Sequence, residues 1–109
     1  MKHLKDFKLF EELNKEEMIK HGFEEGEYPE QGKIYFWVES GEKYGKQIRN
    51  TPVKVKFDRM DDKSKSDFGY FFLEEDTKTG IKKGERISSD INGLFKDYHT
   101  ANKYANGQL

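Results

Sequence analysis

The residues best suited to chemistry in this chain are cations. Lys43, Lys46, Arg49, Lys54 and Lys56 fall in a stretch, residues 43–57, that contains no acid. Tyr44 lies inside it. Alternation along Pro52–Asp58 puts Val53, Val55 and Phe57 on one side of a strand and Lys54 and Lys56 on the other. Cations on a β-ribbon can follow a phosphate backbone, and an aromatic ring can stack on a base. Lys43, Tyr44, Lys46, Arg49, Lys54 and Lys56 are therefore the candidate nucleic-acid-binding set. The same lysines would also guard an edge strand against sheet-to-sheet association.

A second candidate surface is protein-binding. Tyr35 and Trp37 share one face of the stretch Lys33–Glu39, and Tyr and Trp dominate interface hot spots. Glu16 and Glu17 belong to an acidic N-terminal region that can meet a basic partner by charge complementarity. That combination suits a regulator or inhibitor of the phage or mobile-element type, acting on a larger host protein.

Other constellations carry less. Gly41–Gln47 looks like a phosphate loop, but its glycines stand one residue too close and Gln47 replaces the Ser/Thr that magnesium needs. His3, His21 and His99 are far apart, with no second ligand at metal-binding spacing. Asp58 and Asp76-Thr77-Lys78 resemble the carboxylates and lysine of a metal-dependent nuclease. The second group falls in a turn signalled by Thr79-Gly80. No serine has nucleophile-elbow glycines. The expectation is a non-catalytic interaction module with no cofactor and no metal. Its partner is nucleic acid or a larger protein, and not a membrane. No motif names a family.

The elements that must position these residues follow from patterning. A chain of 109 residues is one domain. Net charge is −1, but residues 1–30 hold five Lys against nine acids, whereas residues 31–64 hold eight Lys/Arg against five. The middle is the basic part. There is no cysteine, so no disulfide framework and no thiolate chemistry. No long apolar run suggests a leader or a membrane span, so a cytoplasmic location is expected. Nine Phe, six Tyr and one Trp imply an aromatic core.

In chain order, residues 1–23 read as a helical N-terminal segment. A first helix covers 3–13. A second, Lys15–His21, is announced by a capping box of Asn14 and Glu17, with Leu13 and Met18 as its staple and Gly22 as its left-handed stop. Residues 33–88 read as an antiparallel sheet. Its strands are Lys33–Glu39, Lys43–Arg49 after a Ser40-Gly41 turn, Pro52–Asp58, Phe68–Leu73 and a weaker Ile81–Ser88. Phe36, Val55, Phe57 and Phe71 should be its core. Leu94, Tyr98, Ala101 and Ala105 give residues 90–106 a helical period, with Asp90 or Asp97 to cap it. The fold class is α+β: a small curved antiparallel sheet of four to five strands, or an open barrel, with N-terminal helices and a C-terminal helix packed on it.

Overall fold

A computed structural model describes residues 15–61 and 68–108. The helix expected over 3–13 and the cap expected at Asn14 lie outside the described residues. The fold is α+β. Helix α1 (Lys15–Lys20) precedes seven strands: β1 (Ile34–Trp37), β2 (Ser40–Lys43), β3 (Lys46–Arg49), β4 (Val53–Met60), β5 (Phe68–Leu73), β6 (Arg86–Asp90) and β7 (Leu94–Phe95). A 3-10 turn, Ile91–Gly93, leads into β7, and helix α2 (Tyr98–Ala105) follows. Five strands form an antiparallel sheet in the order β6-β5-β4-β1-β7, and β2-β3 form a separate hairpin. The five-stranded sheet ends in two edges, β6 and β7, and does not close into a barrel.

The sheet's inner face carries the main core. Val55, Phe71, Leu73 and Leu94 are fully buried, with Phe57, Trp37 and Tyr35 beside them. Trp37 settles its polar edge by donating Nε1–H to Ser89 Oγ at 3.0 Å. The Tyr35 hydroxyl accepts from the Glu30 N–H at 2.8 Å, and burial pushes its phenol above the usual range. Phe36 turns the other way and is half-buried, not fully buried as its apolar strand suggests. On that outer face Phe36, Phe95 and Val38 meet α2 through Ala101, Tyr104 and Tyr98. Because α2 is short, it covers only the β1–β7 side.

Helix α1 ends as its sequence requires. Gly22 adopts φ +92°, its N–H bonds Ile19 O, and the Phe23 N–H reaches back to Met18 O. This is a Schellman stop, with Met18 and Phe23 both in the core. The corner at His21–Gly22 then docks against β7. Lys96 N–H donates to His21 O, and His21 Nδ1–H donates to Leu94 O at 2.8 Å. His21 also stacks on Phe95, ring centroids 4.3 Å apart.

Burial lowers the His21 pKa below 6.5, outweighing the Leu94 carbonyl and the Glu17 and Asp90 charges that favour the cation, while Lys20 adds to the lowering. The unfolded chain therefore binds more protons than the folded chain just below pH 6.5. The His21 contribution to stability is complete above about pH 6.5 and declines as pH falls through that value toward the folded pKa. Urea midpoints between pH 7.5 and 5.5 should fall more steeply for the wild type than for His21→Gln. Parallel curves would sink this assignment.

Two segment readings are corrected. The C-terminal helix starts at Tyr98, not near residue 90. Asp90 caps the 3-10 turn, with Oδ1 accepting from the Asn92 N–H, and Asp97 caps α2 by accepting from the Thr100 N–H. Leu94, which fits the helical period, is in a strand with Phe95 instead. The strand expected over Ile81–Ser88 is Arg86–Asp90 instead, because Lys82–Glu85 forms a turn that bonds Leu73.

Candidate nucleic-acid interface

The single strand expected over Lys43–Arg49 is the returning half of a hairpin. The chain turns at Tyr44-Gly45, not at Ser40-Gly41. Tyr44 has φ +53° and Gly45 φ +75°, the signature of a two-residue type I′ turn. Cross-strand pairs are Ser40–Arg49, Gly41–Ile48, Glu42–Gln47 and Lys43–Lys46. Asn50 N–H bonds Glu39 O, so the hairpin continues the β1–β4 pair, with a change of register. The result is one long ribbon. Its arm from Ile34 to Lys43 extends about 30 Å at a strand rise of about 3.3 Å per residue.

Residues 40–48 of this ribbon are solvent-exposed on both faces. At its tip two features cost stability. Tyr44 is a bulky residue held at positive φ, where Asn or Gly is the ordinary choice, and it is 92% exposed. Lys43 and Lys46 stand directly opposite each other, a like-charge pair that destabilises a ribbon. Among the described residues neither lies within 4.0 Å of an acid oxygen. The Lys43 ammonium sits 5.6 Å from the centre of the Tyr44 ring.

The other members of the set lie elsewhere. Lys54 and Lys56 are exposed on the outer face of β4, opposite Phe36 and Ile34. Neither makes an ion pair among the described residues, although the Lys54 N–H donates to Glu75 Oε2 at 2.6 Å. Arg49 is occupied inside the molecule. Its guanidinium lies 4.0 Å over the Tyr104 ring, and Nη1 donates to Tyr104 O at 2.9 Å. Arg49 thus ties the foot of the ribbon to α2 and belongs to the scaffold.

Tyr35 and Trp37, each 5% exposed, are core residues, so they offer no surface to a partner. Glu17 is half-buried and pairs with Lys20 at 3.4 Å, while Glu16 is exposed on the same short helix. Asp58 pairs with Arg86, Nη2 to Oδ2 at 2.9 Å, and Asp76 accepts from the Lys83 N–H in its turn. Each of these carboxylates is held by its own local cation or amide. Among the described residues no three His, Cys, Asp or Glu side chains gather into a metal-binding group. No helix among them is long and apolar enough to cross a membrane.

Four residues with the chemistry of an interface escaped the sequence reading: Arg59, Tyr70, Phe72 and Arg86. They share the outer face of β4, β5 and β6. Arg59 and Arg86 both place guanidinium groups over Tyr70, at 4.8 and 4.1 Å from its centre. Compared with known proteins, the chain matches no family model, no curated sequence and no solved structure.

Proposed function

We propose that the chain works in the cytoplasm as a non-catalytic module that binds nucleic acid, with the β2–β3 ribbon reaching along the phosphate backbone. The supporting observation is the tip. Two lysines opposed without an acid partner among the described residues, beside an exposed tyrosine at positive φ, are a standing cost to the fold. A phosphate between the two ammonium groups would relieve their repulsion, and a base could lie on Tyr44. Lys54 and Lys56 supply further cations on the same ribbon, nearer the sheet. A protein-binding role is less favoured, since its aromatic anchors Tyr35 and Trp37 are buried.

The test separates folding from binding. Lys43→Ala with Lys46→Ala removes like-charge repulsion, so the melting temperature should hold or rise. Affinity for every oligonucleotide should nevertheless fall together. The slope of log affinity against log salt should drop by roughly 1.4–1.8, at about 0.7–0.9 per phosphate contact. Tyr44→Asn suits the turn and keeps the fold, while losing about 1–3 kcal/mol of stacking per base with little change in salt slope. If the wild type binds no oligonucleotide at low salt, the proposal fails.

A further inference from the structure

We infer that the outer face of β4, β5 and β6 is a second site, a base-stacking platform built on Phe72, and that its ligand is single-stranded nucleic acid. The inference rests on the nucleic-acid reading above and specifies the substrate as an unpaired strand.

Register places the parts. Ile34, Lys56, Phe72 and Arg86 stand in one row across β1, β4, β5 and β6, each directly opposite the next. Neighbouring strands are about 4.8 Å apart, so the row spans about 14 Å. Phe72 is 36% exposed and Ile34 42%. Among the described residues no ring or cation covers Phe72. Its neighbour Phe71 is wholly buried, so Phe72 contributes nothing comparable to the core. Tyr70 lies one row over with its ring already under Arg59 and Arg86. The partly exposed ring is thus flanked in register by Lys56 on one strand and Arg86 on the other.

Arg86 and Asp58 neutralise each other on this face, and Glu74 and Glu75 lie beside Lys54. Lys54, Lys56 and Arg59 make no ion pair among the described residues and are the cations left for a polyanion. The occupant must therefore bring a flat apolar surface and negative charge together. A single strand does both, with bases to lie on Phe72 and phosphates for Lys54 and Lys56. In a duplex the bases pair edge to edge and their flat surfaces are closed by stacking on the base pairs above and below, so none is open to Phe72. That argument selects the unpaired strand.

Fluorescence anisotropy with an oligothymidylate of about 12 nucleotides, a length within the usual single-strand site range, tests this. The wild type should bind it more tightly than a duplex of matching length. Phe72→Ala should weaken single-strand binding about 5- to 150-fold with the salt slope unchanged, and Phe72→Trp should restore it. Phe72→Leu, which keeps apolar cover without a π-face, should resemble Phe72→Ala. Cooperative melting well above the assay temperature establishes that each variant is folded. Equal binding by Phe72→Ala and wild type, with binding still lost in the Lys43→Ala, Lys46→Ala variant, would overturn the platform and leave the ribbon reading standing. No binding of any oligonucleotide overturns both. Concentration-dependent self-association abolished by Phe72→Ala, without strand binding, would show that a second copy of this chain covers the face, and would also overturn the inference.

Discussion

Phe71→Ala is expected to lower the free energy of unfolding by about 3–5 kcal/mol, the usual cost of truncating a buried phenylalanine. Phe71 has no exposed surface, sits opposite Phe57 in the register of β4 and β5, and packs on that ring at a centroid distance of 6.0 Å. It is held between strands whose backbones are fixed by ladders on both sides, so the cavity cannot collapse cheaply. A domain of this size has about 5–15 kcal/mol in all. The adjacent Phe72→Ala change, on the opposite face, should cost much less, about 1 kcal/mol, because that ring is only partly covered. Urea denaturation of the two variants side by side decides the matter. Equal midpoints would mean that β5 does not present its faces as described.

Gly22→Ala is expected to be nearly as damaging, through a different route. The residue sits at φ +92°, and an added Cβ would come within 2.6 Å of Asp97 Oδ2. An L-residue in the left-handed region costs about 1–2 kcal/mol. Asp97 must also move, and its cap on α2 is worth about 0.5–2 kcal/mol. Together these give a loss of about 1.5–4 kcal/mol. Asp97→Ala alone should cost only the cap. Adding Gly22→Ala to Asp97→Ala should then cost less than Gly22→Ala costs in wild type, because the clash has gone. Strict additivity of the two changes would refute the contact.

Much of the fold was legible because it depends on short-range physics. The alternation of Val53, Val55 and Phe57 with Lys54 and Lys56 set the faces of β4. The aromatic run Phe68–Leu73 marked β5, and Gly22 marked the end of α1. The hairpin tip was misread because Ser40-Gly41 has better turn chemistry than Tyr44-Gly45. Local preference lost there to the need to extend the β1–β4 pair. Leu94 fits a helical period, yet the open edge of β1 recruited it, with Phe95, as a strand. The candidate site was less legible still. Lys43 and Lys46 stood out, but their opposition depends on where the turn falls. Phe72 cannot be told from Phe71 by composition. Its exposure depends on α2 stopping short, and its cationic neighbours come from strands far apart in sequence.

The placement of β7 has a consequence for the order of events in folding. The ladders β1–β4, β4–β5 and β5–β6 join strands that are near in sequence, and they can zip from one to the next. The contact of β7 with β1 links Phe95 to Phe36, and the His21 corner then lies on β7. Closing so large a loop costs chain entropy that only a two-residue ladder and a few side chains offset. The C-terminal strand and helix should therefore dock last and release first. In native-state hydrogen exchange, the Lys96 amide bonded to His21 O and the Val38 amide bonded to Gly93 O should exchange by partial opening. The Phe71 amide, inside the β4–β5–β6 meander, should wait for global unfolding. The molecule would then behave as a stable meander with a detachable latch, whose opening uncovers Phe36 and Phe95 together.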